Sequence, residues 1–127
     1  MEAAIFGGSR VVSINLSGRC ILIVEDEPLI TMEIASALRS AWATVRTART
    51  LNDAHQLVEE PALALAIIDL ALGRETAATL CNRLAARGLP FVIYTGYPDI
   101  PPECKPHAVL QKPADPETIL RAVAALL

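Results

Sequence analysis

The chain of 127 residues is long enough to bury a core and fits one domain better than two. Its 53% apolar content with 4% aromatics reflects an excess of Ala, Leu, Ile and Val, the composition of aliphatic strands packed under Ala-rich helices. A net charge of -3 without a Lys/Arg cluster excludes binding driven by a basic patch, so neither nucleic acid nor a membrane surface is an expected partner.

No apolar run reaches membrane-spanning length, and residues 1–18 lack the basic start and sustained apolar stretch of a signal peptide. That N-terminal segment, punctuated by Gly7-Gly8-Ser9 and Ser17-Gly18, reads equally as a native extension, a start-site artefact or an extra edge strand. The remainder, 19–127, reads as the domain. Cys20, Cys81 and Cys104 are odd in number and lack the spacing of a zinc site or a redox CxxC, so reduced thiols and a cytoplasmic location are expected.

In chain order, the β-rich run 20–24 reads as a buried strand with an acidic stop at Glu25-Asp26. Pro28 suits a first helical turn, and Leu29, Ile30, Ile34, Ala37 and Leu38 follow at helical spacing. A weaker strand over 44–48 precedes a helix capped by Thr50 or Asn52, carrying Ala54, Leu57 and Val58 and stopped by Pro61. The apolar run 63–70 is a third strand whose end carries Asp69, and a helix over 76–86 follows, with Leu80 and Leu84 inward and Gly88 as its stop. Residues 90–95 form a fourth strand ending at Thr95. The next segment holds Pro98, Pro101, Pro102 and Pro106, each removing a backbone donor, and predicts a loop with at most one helical turn. A short strand over 108–111 and a helix opened by Asp115-Pro116-Glu117 complete the chain, the latter with Ile119, Leu120, Val123 and Leu126 on its apolar face. Trp42, near the end of the first helix, is expected as a hydrophobic plug. His55 and His107 read as helix and loop residues without a metal role.

The expected fold is α/β, a doubly wound (βα)5 parallel sheet with a shortened or loop-like fourth helix. In such sheets ligands collect beyond the C-terminal strand ends at a topological switch point. Glu25, Asp26, Asp69, Thr95 and Lys112 all lie at or just past such ends. Carboxylates meeting a hydroxyl and an ammonium suggest a cation beside an anion: Mg2+ takes a few carboxylates plus a phosphoryl oxygen, and an ionised Asp can attack phosphorus to form an acyl phosphate. Asp69 is then the nucleophile, Lys112 the counter-charge, and the Thr95 hydroxyl a donor to the phosphoryl group. Each residue alone has a plainer reading. Glu25-Asp26-Glu27 suits a helix N-terminus, Asp69 a cap, Thr95 an ordinary strand and Lys112 an exposed charge; only their company makes them a site.

The stretches Ile21-Leu-Ile-Val-Glu-Asp-Glu-Pro28, Ile67-Ile-Asp-Leu70, Val92-Ile-Tyr-Thr-Gly96 and Leu110-Gln-Lys-Pro113 together resemble the receiver domain of two-component response regulators. The resemblance implies a flavodoxin-like sheet of order 2-1-3-4-5, Glu25 and Asp26 as the acidic metal pair, and Asp69 as phosphoacceptor and metal ligand. It also implies the Ala71 backbone carbonyl as a further Mg2+ ligand, Thr95 as switch hydroxyl, and Lys112 followed by a cis bond to Pro113. The implied partners are a sensor histidine kinase and a downstream or phosphotransfer protein. The implied chemistry is self-catalysed phosphorylation and autodephosphorylation rather than enzyme turnover. Pro90-Phe-Val-Ile-Tyr-Thr-Gly-Tyr97 is similar to the signature of the single-domain FAT GUY receivers, as is 72–76, although Ile93-Tyr94 replaces Phe-Ala.

Two departures bear on mechanism. Val109 stands where receivers usually carry an aromatic three residues before the lysine, which leaves Tyr97 as the nearest aromatic able to serve as a switch. With the chain ending after its last helix, output is expected by protein contact or as a phosphate sink. The competing readings are a pseudo-receiver used only for binding and a small Asp-nucleophile phosphohydrolase. The latter normally needs an Asp where this chain has Ala71.

Overall fold

The computed structural model describes residues 5–6, 9–10, 14–72, 77–96 and 99–127. Five strands, β1 (Cys20–Val24), β2 (Thr44–Ala48), β3 (Leu63–Ile68), β4 (Phe91–Thr95) and β5 (Ala108–Gln111), form a parallel sheet in spatial order β2-β1-β3-β4-β5. Four helices connect or follow them: α1 (Pro28–Ser40), α2 (Leu51–Leu57), α3 (Ala78–Ala86) and α4 (Pro116–Ala125). The architecture and strand order are those expected from the sequence. Residues 99–107 carry no helix, as the prolines dictate. Ile5–Phe6 and Ser9–Arg10 pair with each other, outside the five-stranded sheet. The packed unit reaches back to Leu16, which is buried and whose N–H donates to the Ala41 carbonyl at 2.7 Å.

The period-two geometry of the strands divides the apolar residues between two cores. Leu22, Val24, Ala66, Ile68, Phe91 and Ile93 face α2 and α3, and Ile21, Ile23, Leu65, Ile67, Val92 and Tyr94 face α1 and α4. Every residue of β1 and β4 is buried, because both have neighbours on each side and helices over at least one face. At the β5 edge Val109, paired with Ile93, is half exposed, since the segment that would cover it is a loop.

Local signals place the helix ends. Thr50, rather than Asn52, caps α2 by accepting from the Asp53 N–H at 3.1 Å, and Asp115 caps α4 by accepting from the Thr118 N–H at 2.8 Å, with Pro116 in the first turn. α3 closes as expected on Gly88, at φ +66°, with Gly88 and Leu89 N–H groups bonded to the Ala85 and Leu84 carbonyls. α1 closes by the same motif, but its left-handed position is Trp42 at φ 74°, with Trp42 and Ala43 bonded to Arg39 and Leu38. This corrects the expectation of a buried plug. A residue at that turn projects away from the core while Ala43, the next one, packs inward, and Trp42 is 73% exposed.

A second correction concerns the cysteines. Cys81, on the inner face of α3, and Cys104, in the loop before β5, are joined by a disulfide with their Cα atoms 5.1 Å apart, and Cys20 is the buried free thiol. The partners are separated by 23 residues, and they meet only because the loop folds back on α3, which spacing alone does not reveal.

Candidate functional site

Backbone ladders deliver the polar residues to one edge. The Glu25 N–H continues the β1–β2 ladder by donating to Ala48 at 3.0 Å, Asp69 N–H continues β3–β1 by donating to Val24 at 2.9 Å, and Lys112 N–H continues β5–β4 by donating to Thr95 at 2.9 Å. Each residue therefore stands where its strand ends, at the crevice flanking the two central strands.

There the side chains converge. Ligand atoms of Glu25, Asp26 and Asp69 lie within 4.8 Å of one another, with Glu25 and Asp69 buried and Asp26 exposed at the mouth. Lys112 Nζ donates to Glu25 Oε1 at 2.8 Å and to Asp69 Oδ2 at 3.0 Å. The second oxygen of each buried carboxylate is held by backbone: Glu27 N–H donates to Glu25 Oε2 at 3.1 Å and Ala71 N–H to Asp69 Oδ1 at 3.0 Å. Thr95 is buried at the end of β4, with Lys112 bonded to its carbonyl. The Lys112–Pro113 bond is cis, as the resemblance implied. Tyr97 and residues 73–76 lie outside the described residues.

Burial pushes the Glu25 carboxyl above its ordinary pKa, against the Lys112 and Glu27 hydrogen bonds that favour its charged form. Burial also opposes the charge on Lys112, but its bonds to both carboxylates outweigh that and raise the ammonium. The two directions are compatible, because Lys112 gains two acceptors whereas Glu25 shares one ammonium with Asp69.

Such a pocket fits a divalent cation by its donor set: hard carboxylate oxygens, one of them reaching solvent, clustered tightly enough to repel one another without added positive charge. It also contains a residue to which the sequence reading gave no role. The Tyr94 hydroxyl accepts from the Ala114 N–H at 3.0 Å, and its ring lies 5.5 Å from Lys112 Nζ, so Tyr94 steadies the Lys112-Pro113-Ala114 segment from beneath. A tyrosine at an inward position of a central strand was the available signal, since its hydroxyl needs a partner when buried. His55 and His107 take no part: His55 Nε2 lies 3.2 Å from the Thr79 hydroxyl, and His107 Nδ1 accepts from the Phe91 N–H at 3.3 Å.

A five-stranded parallel sheet of this order defines the CheY-like α/β class. Residues 21–124 match the family described as Response regulator receiver domain, and the chain belongs to it. Phyllosphere-induced regulator PhyR of Methylorubrum extorquens is 30% identical over 114 residues, which cover 84% of this chain and 43% of that protein. The chain thus spans less than half the length of this curated relative. The response regulator PhyR from Brucella abortus is similar at 25% identity and a TM-score of 0.77, over 91% of this chain and 49% of that one. A CheY-like receiver domain protein from Methanospirillum hungatei has a TM-score of 0.75 at 23% identity, over 83% of this chain and 90% of that one, and shows the fold alone. Among the described residues no helix is long and apolar enough to cross a membrane.

Proposed function

We propose that this receiver domain accepts a phosphoryl group on Asp69 from a sensor histidine kinase. The observation that carries the reading is the single Lys112 ammonium bridging buried Glu25 and Asp69 in a cluster of three carboxylates. A carboxylate oxygen of Asp69 forms the new bond to phosphorus as the bond to the donor's leaving group breaks. Ala71 N–H and Lys112 fix the carboxylate's orientation beforehand, so little rearrangement is needed at attack. Lys112 then offsets charge on the transferred oxygens, and the Thr95 hydroxyl donates to one of them. Glu25, Asp26, Asp69 and the Ala71 carbonyl would hold Mg2+, which supplies charge neutralisation at the phosphoryl oxygens when bound.

The receiver is residues 19–127, with Leu16 from the preceding segment packed against it, and 1–18 is an extension to which no role is assigned. The 90–97 stretch supports a receiver of the FAT GUY type, and the domain is read as acting in the cytoplasm. Its output is contact with a downstream or phosphotransfer protein, or the draining of phosphate from a relay. Tyr97 serves as the switch aromatic in place of Val109, whose half-exposed position on the edge strand offers no aromatic ring to move. Phosphorylation is self-catalysed, without turnover of a separate substrate.

The test is the intact mass of the wild type and Asp69→Ala after incubation with acetyl phosphate and magnesium, with and without chelator, and with a phosphorylated histidine kinase. A magnesium-dependent gain of one phosphoryl group, lost in the variant, is expected. An equal gain in the variant, or none in the wild type from either donor, refutes the proposal.

A further inference from the structure

The chain that leaves the acidic pocket after Asp69 runs into α3, and the chain that leaves it after Thr95 runs into the loop before β5. Cys81 and Cys104 tie these two exits together. Cys81 sits on a regular helix between the inward-facing Leu80 and Leu84 and is fixed. Cys104 sits in a segment with no regular structure. Among the described residues, the backbone bond recorded within 99–106 is internal, from Cys104 N–H to the Pro101 carbonyl at 2.9 Å. Among the described residues, Ile100 packs against the same core, and the bridge is the covalent tie between this segment and α3.

We propose that Cys81 and Cys104 form a reversible dithiol–disulfide pair, a redox modification site that decides whether the 99–106 loop, whose far end is held by His107 against Phe91, is clamped to α3 or free to lift. Oxidation joins the two Sγ atoms. Their two protons and two electrons pass to a low-molecular-weight disulfide of the glutathione type, whose own S–S bond breaks to give two thiols, and reduction reverses the exchange. Both cysteines are buried, at 1% and 5% exposure, so exchange proceeds through local opening at Cys104, the partner on the irregular segment. A surface groove lined by Asn82, Phe91, Pro102, Glu103 and Lys105 lies at the chain neighbours of both cysteines. The reduced state is also accommodated. Cys104 Sγ lies 3.8 Å from the Ala77 carbonyl, an acceptor for a thiol proton that the bridged sulfur lacks. Cys20 is different in kind. It is buried in the sheet without a partner sulfur, and burial raises its thiol pKa, with Arg46 pulling the other way, so it stays inert. Because the segment lies in the chain between Thr95 and β5, the pair places a thiol-dependent input on the connection that leaves the acidic pocket, and it operates whether or not Asp69 is phosphorylated.

The test uses the full chain without phosphodonor. Native protein is equilibrated in buffers spanning reduced to oxidised glutathione, quenched in acid, alkylated in denaturant and weighed. The expected result is interconversion between one and three alkylated cysteines, with Cys20 always the single one. In parallel, amide exchange over 99–106 is expected to be about tenfold faster in the reduced than in the oxidised protein, as opening no longer works against a closed covalent loop. A Cys81→Ala/Cys104→Ala variant should match the reduced rate in both buffers. A bridge that never forms under oxidised glutathione, one that survives excess dithiothreitol in the native protein, or loop exchange indifferent to its state would overturn the proposal.

Discussion

Replacing Lys112 with Met removes the ammonium from the pocket while keeping most of its aliphatic stem. The lost donor serves Glu25 at 2.8 Å and Asp69 at 3.0 Å, whose side chains are 2% and 5% exposed. Charge-assisted hydrogen bonds contribute roughly 1.5–3 kcal/mol each, so two set a range of about 3–6 kcal/mol. Protonation limits the loss. Burial already raises Glu25, and a carboxyl with an ordinary pKa of about 4.3 takes up a proton at pH 7 for about 4 kcal/mol. The expected destabilisation at pH 7 is therefore about 3–4 kcal/mol. Its pH dependence has a definite sign. In the variant the folded state holds a proton that the unfolded state releases, so stability falls by about 1.4 kcal/mol per unit as pH rises above the ordinary carboxyl value, until the raised folded value is passed. Lowering the pH from 7 to 5.5 should thus restore up to roughly 2 kcal/mol in the variant, less the smaller gain that the raised Glu25 gives the wild type. Urea unfolding followed by far-UV circular dichroism at both pH values measures this. A loss below about 1 kcal/mol, or one equal at the two pH values, would show that the buried carboxylates do not depend on Lys112.

Trp42→Gly should be neutral or stabilising by up to about 1 kcal/mol, because a bulky residue pays to adopt the left-handed turn and this side chain is 73% exposed; a clear drop in urea midpoint would mean the indole makes contacts that matter. Arg87→Ala should cost about 1–3 kcal/mol, since its Nη1 donates to the Val58 and Glu60 carbonyls at the end of the α2 segment, whereas Arg83→Ala, which breaks an exposed pair with Glu59, should leave the melting curve unchanged. On the phosphoacceptor reading, Ala71→Asn should shorten the phosphoryl lifetime by offering hydrolytic water a polar partner at the pocket's edge, followed as decay of the phosphorylated mass after donor removal. A lifetime unchanged or longer would contradict the reading that the apolar Ala71 side chain denies the hydrolytic water such a partner.

What the sequence carried by itself was local and periodic. Strands buried on both faces read as near-continuous aliphatic runs, Pro28, Thr50, Asp115 and Gly88 mark helix ends through their own backbone chemistry, and the prolines after Pro98 forbid a helix where none forms. The site's members were legible for the same reason, since each polar residue interrupts an apolar run at a strand's end. Tertiary structure alone decided what depends on distance across the fold. It gave one ammonium to two carboxylates, set the Tyr94 ring beside Lys112, turned Trp42 out to solvent at a left-handed turn, and brought Cys81 and Cys104 close enough to bond. Those contacts join residues from different crossovers. Their partners are fixed by register and loop path, which no spacing within a single segment encodes.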